Sequence, residues 1–295
     1  MDFKKPIPKK ELPGEKIGAF SPTQEPMFYL NDSFLCYSAY NHWREDRGRP
    51  LPGSSKHLMA RRTVIEMLKE AELLLPVGYK FLIYDAYRPV IIQQELWDFC
   101  KRKNIKEIKK KKKGLSAVAL SDLAEKETAK FVARPSYNII LASPHNTGGA
   151  IDLTIVDEDG IPLDMGCEFD DFSDKTRSDF YEYFDNSEDE TSIKIRNNRR
   201  MLYNVMTAVG FTNLPSEIWH YDYGNENWAY FNNCAPLYTG ILDASVRDSV
   251  YYSKADLIKS FDKRQQMHLG SIISAKDECE RLAVQLKYSI ADDEI

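Results

Sequence analysis

Three short segments carry residue types suited to metal-assisted chemistry. Ser143-Pro144-His145-Asn146-Thr147-Gly148-Gly149-Ala150-Ile151-Asp152 sets a histidine and a carboxylate seven positions apart around two glycines. Glu217-Ile218-Trp219-His220 sets a carboxylate and a histidine three apart, and Tyr84-Asp85-Ala86-Tyr87-Arg88-Pro89 ends in an arginine. Imidazole and carboxylate are good zinc ligands, and a catalytic zinc takes three protein ligands with the fourth position left for water. His145, Asp152 and His220 meet that count, for one Zn2+ per chain. Residues i and i+7 of a straight strand point to opposite faces, so a glycine turn is needed to make both side chains converge. Glu217 reads as a base: zinc lowers the pKa of its water to roughly 7, and a neighbouring carboxylate takes the proton and passes it to a leaving amine. Its spacing from His220 keeps the two together on a helix, or on a strand with a bend, and the flanking residues favour the bend. Arg88 can serve an oxyanion or a substrate carboxylate; its bland alternative is a structural pair with Asp85.

The elements that must position these groups follow from periodicity. Residues 56–75 place Val64, Ile65, Leu68, Ala71 and Leu75 at helical spacing, and Pro76-Val77-Gly78 stops the helix. Residues 79–87 read as a short central strand, and 90–108 as a helix opened by Pro89. The lysine-rich stretch 101–113 reads as a solvated helix end, because no aromatics interleave it for an anionic partner. Residues 120–132 form a further helix. Residues 138–142 and 150–156 read as strands, and 169–190 as loop and short helix. A longer helix runs through Arg200 to Val209, where Gly210 caps it. Residues 218–223 make a last core strand, and charged helical pattern fills the chain beyond Pro236. The fold class is α+β: a small, mostly antiparallel sheet flanked by helices, with a C-terminal helical extension. The expected division is an extended N-terminal arm over 1–25, a zinc domain over 26–240 and the extension over 241–295.

The bulk composition sets limits. Of 295 residues, 43% are hydrophobic and 29% charged, which is ordinary globular usage and predicts a real core. A net charge of −5 argues against a nucleic-acid partner. No stretch approaches the ~18 apolar residues of a membrane span, and no apolar region follows the N-terminal lysines. Cys36, Cys100, Cys167, Cys234 and Cys279 are scattered without a C-x-x-C pair, which suits reduced thiols in a cytoplasm. His42, His57 and His268 read as hydrogen-bonded core histidines, Asp164 as a turn residue, and Tyr84, Tyr87 and Trp219 as core or pocket wall.

These motifs resemble the zinc D-alanyl-D-alanine dipeptidases of the vancomycin-resistance type, relatives of zinc D,D-carboxypeptidases and of the Hedgehog fold. The S-x-H-x-x-G-x-A-x-D pattern matches at Ser143 to Asp152, E-x-W-H at Glu217 to His220, and Y-D-x-Y-R-P at Tyr84 to Pro89. M-G-x-x-F-D is present as Met165, Gly166, Phe169 and Asp170. Four motifs in order are specific where one alone is weak. The resemblance implies a small dipeptide substrate, zinc on His145, Asp152 and His220, and Glu217 as base. It also implies Arg88 at the tetrahedral intermediate, with Ser143 and Asp170 holding the substrate's amino group. Ile218 departs from the family's tryptophan, a packing change. The lysine-rich stretch and the residues after Pro236 lie outside the family pattern. Two rival readings share the same zinc site: a peptidoglycan D,D- or L,D-carboxypeptidase, and a non-catalytic binding module, which would have no use for Glu217 beside a metal.

Overall fold

The computed structural model describes residues 2–14, 25–42, 48–171, 173–183 and 189–241. The extension expected over 241–295 falls outside the described residues, apart from Ile241, as do His268 and Cys279. The helices form where apolar residues recur every three or four positions. In α1 (Arg62–Glu72), Val64, Ile65, Met67, Leu68 and Ala71 are buried. In α4 (Glu190–Ala208), Ile195, Leu202, Tyr203, Val205 and Met206 are buried. The Asp189 side chain caps the start of α4 by accepting from Ser192 N. Two further helices, α2 (Val90–Lys111) and α3 (Ala117–Thr128), lie beside each other. A last short helix is α5 (Glu226–Asn232). The lysines at 109–113 are exposed at and beyond the end of α2, as a solvated helix end requires.

Five strands make the main sheet: β2 (Leu35–Cys36), β4 (Lys80–Asp85), β5 (Ala150–Val156), β6 (Thr212–Asn213) and β7 (His220–Asp222), in the order β2-β4-β5-β7-β6. Only β2–β4 is parallel. A separate antiparallel ribbon of β1 (Met27–Tyr29) and β3 (Met59–Arg61) had no clear alternation to announce it. Strand residues alternate between the two faces of a sheet. Phe81, Ile83, Ile151, Leu153, Ile155 and Tyr221 share the face packed on α1 and α4, all with no exposed surface. Asp152, His220 and Asp222 occupy the opposite face. A second, smaller apolar cluster of Tyr40, Leu51, Ile92, Leu96, Trp97, Cys100 and Val132 seats α2.

Some expected elements differ. Residues 139–141 form an exposed 3-10 turn, not a strand. The three isoleucine and leucine side chains there find no facing strand, so β propensity has nothing to pair with. The helix expected over 120–132 begins three residues earlier, where Ser116 accepts from Ala119 N as its N-cap. His42 and His57 are surface residues rather than core histidines: His42 stacks on Tyr37, and His57 packs against Tyr29. Asp164 accepts from Gly166 N in a turn, as expected.

Candidate metal centre and active site

Asp152 lies mid-strand in β5, directly opposite His220 at the start of β7. A register shift between Ile83 and Asp85 brings Asp85 opposite Asp152. Without that bulge Asp85 would fall on the apolar face with Ile83; the extra residue re-aims it toward the site. His145 sits in the 3-10 turn Pro144–Thr147, which ends at Gly148 with φ of 72°. Gly149 follows so close to the neighbouring strand that a Cβ would stand 2.2 Å from Tyr223 O. The left-handed residue and the close approach together let the chain reverse from His145 into β5. Arg61 holds the turn from behind, donating from Nε to Thr147 O at 2.9 Å.

The donor atoms converge. His145 Nε2 is 3.1 Å from His220 Nδ1 and 3.3 Å from Asp152 Oδ2, and His220 Nδ1 is 3.0 Å from Asp152 Oδ1. A tetrahedral zinc with bonds of about 2.0–2.1 Å holds its ligands about 3.3–3.4 Å apart, close to the separation of the two imidazole nitrogens and to the approach of one Asp152 oxygen to each ring. The far side of each imidazole fits as well. His145 Nδ1 donates to Ala86 O at 2.7 Å, and His220 Nε2 donates to Asp222 Oδ1 at 2.9 Å. Each ring therefore carries its proton away from the cluster and turns a lone pair into it. All three groups are buried. Burial alone would raise the Asp152 carboxyl, but the two imidazoles beside it hold it well below the usual carboxylate range. Two imidazoles and one carboxylate suit zinc.

Glu217 stands on the turn before β7: its N donates to Leu214 O, and its own carbonyl accepts from His220 N. This is the bend that its spacing from His220 requires. Its Oε2 is 3.9 Å from His220 Nδ1, and the side chain is 20% exposed at the cavity wall. Burial pushes its carboxyl up to about 7, against the opposing pull of His220. Arg88, 7% exposed, donates from Nε to Asp85 at 2.9 Å, from NH1 to Gln93 at 2.8 Å and from NH2 to Tyr40 Oη at 3.2 Å. The pair with Asp85 is thus real, and the same guanidinium still lines the cavity, 3.7 Å from Asp152 Oδ2. Ser143 and Asp170 line it too, with Trp219, whose ring meets Phe169 edge-on at 5.4 Å. Ser143 makes no cap bond to its own turn. Asp170 has φ of 59°, a left-handed conformation that aspartate tolerates, and its Oδ1 accepts from Tyr40 Oη at 3.3 Å. Ile218 is buried in the core, consistent with a packing change.

The structure thus brings all seven expected site residues to one cavity. Beyond them, Asp222 has no exposed surface and is held by the amides of Asn225 and Asn227. A carboxylate two positions after a ligand histidine on a strand was a readable signal for it. Tyr40 reaches Arg88 from a distant segment, and Gln93 from the first turn of α2 just beyond it.

The D-ala-D-ala dipeptidase family profile, Peptidase_M15, matches residues 36–236. The chain belongs to this family. Among its dipeptidase relatives is the D-alanyl-D-alanine dipeptidase of Synechocystis sp. (strain ATCC 27184 / PCC 6803 / Kazusa), 28% identical over 63% of this chain and 77% of the relative. The D-alanyl-D-alanine dipeptidase of Escherichia coli (strain K12) is 27% identical over 59% and 71%. Among solved structures, VanYB in complex with D-alanine-D-alanine is similar at 20% identity, covering 62% of this chain and 82% of that one with a TM-score of 0.35. This dipeptidase-family chain is a metallopeptidase with a mixed sheet flanked by helices. No helix among its described residues is long and apolar enough to cross a membrane.

Proposed function

We propose that the chain hydrolyses D-Ala-D-Ala or a similar D,D-dipeptide, with zinc held by His145, Asp152 and His220. The observation that carries this reading is the convergence of His145, Asp152 and His220, whose ligand atoms lie within 4.8 Å of one another, beside the carboxylate of Glu217. When bound, zinc supplies Lewis acidity and makes water a nucleophile at neutral pH. Glu217 takes the proton of the attacking water on a carboxylate oxygen and delivers it to the leaving amine. Arg88, pre-oriented by Asp85 and Gln93, offers fixed positive charge to the carbonyl oxygen as it becomes anionic. Ser143 and Asp170 hold the substrate's amino group, which selects a free dipeptide. A cytoplasmic setting is supported by the thiols of Cys36, Cys100, Cys167 and Cys234 among the described residues.

One observation favours the carboxypeptidase reading as the alternative. A cleft of about 590 Å³ between α2, the end of α3 and the loop at 168–171 shares Phe131, Val132, Asp170 and Asp171 with the metal cavity. A longer peptide could lie there. The deciding experiment offers the zinc-loaded protein and its Glu217→Ala variant D-Ala-D-Ala, its L,L and L,D forms and a pentapeptide stem, with metal content measured on both. Hydrolysis of the D,D-dipeptide that collapses in the variant while zinc stays bound supports the proposal. Release of D-Ala only from the pentapeptide would replace it with the carboxypeptidase. Zinc-loaded protein that cleaves nothing would favour the binding module.

A further inference from the structure

Arg199 is a buried cation outside the reaction centre, 1% exposed on α4. Its guanidinium donates from Nε to Met165 O at 2.6 Å, from NH1 to Arg177 O at 2.7 Å, and from NH2 to Lys175 O at 2.6 Å and Cys167 Sγ at 3.4 Å. All four acceptors belong to one segment, residues 165–177, and they lie at its two ends. Burying a cation costs several kcal/mol unless its donors are satisfied, so an arginine matched mainly to carbonyls marks a place where geometry matters. Neighbours add to the same grip. Asn198 donates to Asp164 O at 2.9 Å, and the Arg199 guanidinium stacks 4.7 Å from the ring of Tyr181, whose hydroxyl donates to Gly166 O at 3.3 Å. Between the two gripped ends the segment presents Phe169, packed on Tyr84 and Trp219, and Asp170 in its left-handed conformation.

We infer that Arg199 is a positioning residue for substrate recognition: by tying the two ends of 165–177 together, it fixes where Asp170 stands in the cavity. The inference rests on the reading of Asp170 as the amine anchor. Arg199 does not line the metal cavity. The turn that carries Glu217 is joined to the far end of the segment by Ile218 N to Thr176 O and, just past it, by Ser178 N to Pro215 O, and among the described residues by no backbone bond to the part around Asp170. It has its own bonds to Leu214 and His220, and from Asn213 Nδ2 to Glu217 O. Moving the segment therefore alters amine recognition before it alters the base.

The test compares D-Ala-D-Ala with its N-acetylated form, which lacks the ammonium, on zinc-loaded full-length protein. The readouts are kcat and KM, or Ki where the acetylated form only inhibits. Lysine keeps the charge but cannot span three carbonyls from one nitrogen. In Arg199→Lys, KM for the free dipeptide rises about 10-fold or more, while kcat and the acetylated form's constants stay within about threefold. Zinc content is unchanged. Asn198→Ala moves the same preference in the same direction by less, and decides the matter if Arg199→Lys does not fold. A parallel loss on both substrates, or no change on either, overturns the inference. Asp170→Asn is the control: if it leaves the preference for the free amine intact, the amine-anchor reading itself fails. If Asp170→Asn abolishes that preference and the Arg199 and Asn198 variants do not, only the role of Arg199 fails.

Discussion

Asp222 is buried without an exposed atom, and three donors converge on its carboxylate: His220 Nε2 and the amides of Asn225 and Asn227. Those donors overcome the cost of burial and keep its carboxyl below the ordinary range. By accepting from Nε2 it leaves Nδ1 of His220 as the metal-facing lone pair. Asp222→Asn replaces that acceptor with an amide that has two possible orientations, and zinc affinity is expected to fall about 10- to 100-fold. Competition with a chelating dye measures it, and an unchanged dissociation constant would dismiss the role. Glu217 makes the opposite trade. Its folded-state pKa of about 7 lies above the ordinary value of 4.5, so the unfolded chain ionises first as pH rises. Metal-free protein therefore loses stability between pH 4.5 and 7, and Glu217→Gln removes that loss. At pH 8 the metal-free variant is expected to be more stable by up to about 3 kcal/mol, with the gap closing near pH 4.5. Thermal melts at the two pH values check it; equal melting at pH 8 would show that the carboxylate is not strained.

At the scale of elements, the reversal between His145 and β5 decides whether a metal centre exists at all. Gly149→Ala would force a Cβ to 2.2 Å from Tyr223 O, backbone that cannot swing aside. A cost of about 2–4 kcal/mol and weakened zinc binding are expected. Gly148 tolerates substitution better, because the nearest obstacle is the flexible Met27 side chain, although its φ of 72° still strains alanine by about 1 kcal/mol. Chemical denaturation of both variants checks the order; a milder effect at Gly149 than at Gly148 would contradict it. The β4 bulge belongs to this scale too. Tyr84-Asp85 carries no sign in sequence that one residue will be left over in the pairing with β5, because a bulge is set by how two strands meet.

For the whole molecule, the proposed zinc would join three separated pieces of chain: the turn at 144–147, β5 and β7. Removing it with a chelator is expected to lower the melting temperature, and adding zinc back should restore it. At free zinc 100 times its dissociation constant the linkage is worth about 2.7 kcal/mol. That corresponds to about 5–10 °C for a domain of this size. A melting temperature indifferent to verified metal loss would mean that the ligand cluster forms without the ion. The helices at 62–72, 90–111 and 190–208, the strands β4, β5 and β7 and the residues that face one another across the site were legible in sequence. Their signals are local: apolar periodicity, turn residues and ligand types at fixed spacing. The exposed turn at 139–141 and the β1–β3 ribbon were not, because a strand is made by its partner as much as by its own residues. Nor were the Tyr40 contact to Arg88, the bulge that aims Asp85, or the arginine that gathers 165–177. Each depends on segments far apart in the chain, and only packing decides which of them meet. The sequence by itself thus determined the family and marked the candidate ligands and the candidate base, since these reside in residue identity and short spacing. The tertiary structure alone decided which ring nitrogens face the metal and what holds each group at its angle, since those depend on long-range hydrogen bonds in a buried site.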